Sequence, residues 1–167
     1  MKEVILSIQH RLSAQVPELK YIDQDWGQID FYNPPPVKFP CALIDIQSVQ
    51  YSNTGELVQY GTASLVIRLF DYRLSNSSQS APESQKQNAL KIWQLIEDVN
   101  KALHGQNFLP VGFGLPIREQ MRRTKRNEGF YQTELFYSVQ FTDKSCQPIK
   151  KPANNVKPEL KTVSLSK

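Results

Sequence analysis

The sequence predicts an α+β fold: a mostly antiparallel, twisted β-sheet with a long hairpin, and two helices packed on one face. Three observations carry this expectation. Two stretches space their apolar residues as one face of a helix, Val4, Ile5, Ile8, Leu12 and Val16, then Ala89, Ile92, Trp93, Ile96, Val99 and Leu103. Two others alternate as strands with one buried face. In the first, Ala63, Leu65, Ile67 and Leu69 alternate with Thr62, Ser64 and Arg68. In the second, Tyr131, Leu135, Tyr137, Val139 and Phe141 alternate with Gln132, Glu134, Ser138 and Gln140. Glycine, proline and small polar residues punctuate the chain between these stretches.

In chain order, residues 2–16 read as a helix that Pro17 ends. Tyr21-Ile22 begins a short extended piece, and Asn33-Pro34-Pro35-Pro36 admits only extended or turn-like backbone. Pro40 bars a helix from crossing into the strand 42–51, which is rich in Leu43, Ile44, Ile46 and Val49. Ser52-Asn53-Thr54-Gly55 supplies turn chemistry, and the return strand runs to about Tyr72. Pro82 suits a first helical turn, and Gly105 falls where a C-terminal cap belongs, which bounds the second helix. Trp93, mid-stripe, is expected between this helix and the sheet. Strands over 117–125 and 130–142 follow, joined by a hairpin turn at Asn127-Glu128-Gly129.

Length and composition bound what such a domain does. With 167 residues, 40% hydrophobic and 22% charged, the chain matches a globular domain that needs no disulfide or metal staple. No apolar run approaches the roughly 18 residues of a membrane span, so no membrane partner is expected, and the polar N-terminus argues against a signal peptide. The net charge of +4 is uneven. Residues 144–167 hold six lysines and one acid, with Pro148, Pro152 and Pro158 interrupting any helix, whereas residues 1–143 hold 14 basic and 15 acidic side chains. The expected organisation is therefore one domain over 1–143 and a basic, disordered tail over 144–167.

Catalytic chemistry finds few candidates. Two cysteines, Cys41 and Cys146, and two histidines, His10 and His104, are a poor stock for thiol or metal chemistry. Cys41 begins a buried strand, where cysteine serves as a small apolar filler. His104 ends a helix, where its ring suits the last carbonyls. Gly112-Phe113-Gly114 lacks the spacing of a phosphate-binding loop, and Asp23, Asp25 and Asp30 lack that of a calcium loop. The expectation is a protein that is not an enzyme and holds no metal or cofactor.

One feature stands out: Arg118, Arg122, Arg123, Lys125 and Arg126, five cations in nine residues. Regular strand alternation puts Arg118, Arg122 and Arg126 on one face, with Arg123 and Lys125 on the other. The cluster reads as solvated charge that protects an edge strand, or as a contact surface for an acidic protein ring or for DNA. Together with the lysine tail it also supports a basic nucleic-acid-binding module, although no aromatic residue interleaves with the cations. The acidic loop at Asp23, Asp25 and Asp30 has the opposite sign. The two patches either face each other across adjacent copies or meet inside one subunit.

Several stretches resemble the tail-terminator, or tail-completion, proteins of long-tailed bacteriophages. They are Lys20-Tyr21-Ile22-Asp23-Gln24-Asp25-Trp26-Gly27-Gln28, Pro35-Pro36-Val37-Lys38-Phe39-Pro40-Cys41-Ala42-Leu43-Ile44, and Ile92-Trp93 in the long helix. The order of helix, proline-marked lead-in, long hairpin, helix and closing strand pair is similar over about residues 1–143. Other phage neck and tail components share this organisation. The resemblance implies a non-enzymatic homo-oligomeric ring, typically a hexamer, that caps the tail-tube protein and then docks to the head-completion or connector protein. It implies a place in the virion tail, assembly in the bacterial host cytoplasm, and a lumen through which DNA can pass. The interface residues expected for such a ring are the basic cluster, the three aspartates, and Asn53, Thr54 and Gly55 at the hairpin tip.

Overall fold

The computed structural model describes residues 1–72, 75–126 and 129–147. Its elements are α1 (Lys2–Gln15), β1 (Tyr21–Gln24), β2 (Cys41–Gly55), β3 (Val58–Tyr72), α2 (Glu83–Leu103), β4 (Ile117–Lys125) and β5 (Phe130–Asp143). The five strands form one sheet in the order β1-β2-β3-β5-β4. Only β1 and β2 run parallel; the other pairs are antiparallel. The α+β architecture expected from periodicity is the one observed.

Both helices owe their place to their stripes. Val4, Ile8 and Leu12 of α1 and Ile92, Leu95, Ile96, Val99 and Leu103 of α2 are buried against one sheet face. That face is made by Ala42 and Ile44 of β2, Leu65, Ile67 and Leu69 of β3, and Leu135, Tyr137 and Val139 of β5. Gly105, at φ 69°, turns the chain away after α2 in the left-handed region that glycine enters without steric cost. The hairpin strands β2 and β3 are 15 residues each, about 50 Å at the usual strand rise.

The opposite face is partly covered as well. Cys41, Leu43 and Phe70 are buried there beneath Ile29, with Val37 and Phe39 packed alongside. The proline-rich stretch before β2 is thus a strap laid across the root of the sheet. Its prolines keep it from forming an element of its own, and its apolar residues hold it down.

Three details differ from the sequence expectation. Trp93 is 40% exposed; Leu95, one position outside the expected stripe, is buried instead. The helix is rotated so that its indole lies at the border of the core, beneath the guanidinium of Arg123 at 5.2 Å. Second, the hairpin turns at Glu56-Leu57, both in the left-handed region at φ 51° and 61°, and Asn53, Thr54 and Gly55 are the last residues of β2. Third, the ladder between β4 and β5 shifts between Arg118 and Gln120, where a bulge leaves Glu119 unmatched. Each bulge changes the alternation by one residue, so Arg118 does not share a face with Arg122. The expected turn residues Asn127 and Glu128 and the tail from residue 148 onward lie outside the described residues.

Candidate interaction surface

The face opposite the helices carries a ladder of charged and amide groups between the strap and the edge strand. The Asp25 carboxylate, at the end of β1, accepts a hydrogen bond from Arg68 Nη1 of β3 at 2.6 Å. Arg68 Nε lies 3.7 Å from Glu134 Oε1 of β5. Glu134 Oε2 is held by Nε and Nη2 of Arg122 of β4, each at 2.7 Å. Gln132 Nε2 donates to Glu134 Oε1 at 3.1 Å, and Arg126 donates to Gln132 at 3.2 Å and to Asp30 at 2.6 Å. The side chains of Asp25 and Glu134 are only 6% and 7% exposed, so both carboxylates depend on these cations. Asp45, half-buried on the same face, has its carboxyl pushed up by burial, which the nearby Arg68 charge partly offsets.

The three aspartates read as one acidic loop therefore have three separate partners. Asp25 holds Arg68, and Asp30 holds Arg126. Asp23 accepts from the Tyr21 hydroxyl at 2.8 Å, the Gln24 backbone N–H at 2.8 Å and the Trp26 indole N–H at 3.3 Å. Among the described residues no three histidine, cysteine, aspartate or glutamate side chains gather as a metal site. The Asp30–Arg126 pair joins the acidic and basic segments within one chain.

The basic cluster divides between two faces in a way the bulge dictates. Arg122 lies opposite Glu134 on the ladder face, with its guanidinium 5.2 Å from the Phe136 ring centroid, and Arg126 reaches the same ladder. Arg118, opposite Tyr137, lies on the helix side with Arg123 and Lys125. Burial pushes the Tyr137 phenol up, and the Arg118 charge opposes that shift. Arg123 lies between Trp93 at 5.2 Å and Tyr131 at 5.3 Å. Aromatic rings do stand beside these cations, but they come from α2 and β5, so the sequence of β4 gives no sign of them. The His104 ring accepts the Arg118 backbone N–H at Nδ1, 3.0 Å away, rather than serving the carbonyls of its own helix.

At the far end, Asn53 accepts from Gln59 at 2.7 Å and the Thr54 hydroxyl donates to the Val58 carbonyl at 2.9 Å. These bonds brace the tip. Leu57, Tyr51 and Tyr60 stay exposed there. Near the root, Trp26, Phe31 and Tyr32 form an exposed aromatic group on the strap, with Trp26 edge-on to Tyr32 at 5.5 Å. None of these exposed residues is among the interface residues expected from the sequence, nor are Arg68, Glu134 and Gln132, which alternation marks only as outward-facing polar positions. The Arg68–Glu134 meeting depends on β3 pairing with β5, which lies far along the chain.

Thiol chemistry has little footing. Cys41 is buried, and that burial, reinforced by the charges of Asp71 and Asp25, pushes its thiol up to about 12. It stays protonated at neutral pH and so lacks the thiolate a nucleophile needs. Cys146 is exposed.

Comparison with known proteins places the fold. No protein-family model and no curated protein matches the chain. Among solved structures, the chain is similar to a chain in the "Virion of native gene transfer agent (GTA) particle", with a TM-score of 0.55. The match covers 85% of this chain and 96% of that one, at 10% sequence identity, and is a likeness of fold.

Proposed function

We propose that this protein is a structural component of a phage-like virion, a tail terminator that caps the tail tube as a ring and meets the head-side connector. The observation that carries the reading is the shared fold with a virion chain over nearly that chain's whole length. The bonding on the sheet supports an assembly role over a catalytic one. The charged groups are engaged in holding the strap and edge strand, and the most buried thiol is kept neutral. The same bonding weighs against nucleic-acid recognition by β4. Arg122 and Arg126 are committed to carboxylates, and Arg123 occupies the Trp93 face that a base would need for stacking.

The reading is tested on particles. A gold-labelled antibody against the protein is expected to decorate the head-proximal end of the tail. Deleting the gene is expected to leave unjoined heads and tails of irregular length. Absence of the protein from purified particles overturns the proposal, and decoration of the distal tail moves it to another station.

A further inference from the structure

We infer that copies of this chain join edge to edge, the outer edge of β4 pairing antiparallel with the tip half of β2 from the next copy. The inference rests on the ring reading above and supplies its contact. Among the described residues, three stretches of sheet edge lack a strand partner. The outer side of β1 is only four residues long. The two longer stretches are β4, exposed along all nine residues, and β2 beyond Ile44, because β1 pairs only with Cys41 to Ile44.

Polarity fits without turning either copy over. β4 runs opposite to β5, β5 opposite to β3, and β3 opposite to β2. Similarly oriented copies therefore present β4 and β2 antiparallel to each other. The fit is also staggered. β4 sits at the level of Tyr131 to Ser138, towards the root, while the root of the neighbour's β2 is already occupied by β1. Only the tip half is open, so each added copy shifts along the strand direction. A repeated shift of this sign tilts the strands of a closed sheet. The contact is heterologous, the kind that builds rings.

Charge and apolar surface agree with that pairing. Ile117 to Arg126 holds five cations and one acid, whereas residues 45–58 hold Asp45 and Glu56 and no cation. On the helix side, Met121, opposite Leu135, is exposed on one edge, and Tyr51, opposite Gly61, is exposed on the other. Edge strands that repel partners keep their charges in solvent. Here the guanidinium groups of Arg122, Arg123 and Arg126 are each engaged by groups of their own sheet or helix. His104 already takes the Arg118 backbone N–H, so the stretch of β4 open to a partner begins after the bulge, at Gln120.

Sedimentation of the full chain tests this. The wild type is expected to form oligomers as concentration rises to the millimolar range. Tyr51→Lys blocks one edge and Met121→Lys the other, each placing an ammonium in the joined apolar strip, and each variant alone is expected to stay monomeric. Their equimolar mixture is expected to give a dimer and nothing larger, because it retains one intact edge of each kind. Asn53→Lys and Met121→Glu form a second pair on the same face with the same expectation, should either first variant melt early. A wild type that stays monomeric throughout overturns the inference. So does a mixture that stays monomeric while the wild type assembles, or a blocked variant that assembles as the wild type does. Gold label at the head–tail boundary with no dimer in the mixture sinks the edge pairing alone. A dimer in the mixture with no protein in particles sinks the virion reading alone.

Discussion

Between Cys41 and Ile44, β2 is buried on both faces, by the helices on one side and the strap on the other. From Gln50 onward the same strand is exposed at every position. Its partner β3 shows the same division, with Leu65 to Leu69 inside the core and Tyr60 in solvent. The two halves belong to one hairpin and one hydrogen-bond ladder, so local backbone preference cannot account for the difference. Side-chain burial holds the root. The tip is held by its ladder and by short polar bonds such as Asn53 to Gln59. A chain that needed only a core would have turned near Val49; the extra length puts backbone edge and aromatic rings where another molecule can reach them.

The contrast can be broken by mutation, and the largest effect belongs at the root. Ile67→Ala is expected to cost about 2–5 kcal/mol in chemical denaturation, whereas Tyr60→Ala, at 58% exposure, is expected to stay within about 0.5 kcal/mol. Equal losses would mean that the tip is as well packed as the root. Asp25→Ala is next. It leaves Arg68 without its closest carboxylate, and the loss is expected near the lower end of about 3–5 kcal/mol, because Glu134 remains nearby and Arg68 keeps some solvent. An Asp25→Ala protein as stable as the wild type would show that the strap is not tied down by this pair.

Trp93→Ala sharpens the comparison at the border of the core. The half-exposed indole and its contact with Arg123 together suggest a loss of about 1–2 kcal/mol, well under that of a buried tryptophan. Quenching of Trp93 fluorescence by iodide, read in a Trp26→Phe background, is expected in the folded state. The smallest effect belongs to the tip and has the opposite sign. Replacing Glu56-Leu57 by Asn-Gly puts left-handed formers where φ is positive, and a gain of about 1 kcal/mol is expected in thermal unfolding. No gain would mean that other contacts already offset the strain of this turn.

Element order, type and approximate ends were legible in the sequence, because each helix stripe and each alternating strand reports its own burial. The parallel β1, the insertion of β5 between β3 and β4, and the strap over Leu43 and Phe70 were not, since they depend on contacts between distant segments. Of the candidate surface, the basic cluster was visible but its faces were not. Alternation counted from Arg118 fails at the bulge, and the carboxylate that organises the cluster, Glu134, sits on another strand. Trp93 was misplaced because a stripe fixes the rotation of a helix only to about one residue. Leu95 is the residue that a slightly rotated stripe would have included.

The bulge at Glu119 also sets how much length the edge strand can lose. With one residue more than its partner requires, β4 carries slack. A single deletion between Glu119 and Met121 can be absorbed by straightening the strand, with Arg122 still opposite Glu134. A second deletion, or one inserted residue without a new bulge, moves the guanidinium to the wrong side of the sheet and strands the carboxylate. The strand is thus tolerant of one step in one direction only, and that step flattens the curve that the outer edge presents to whatever joins it.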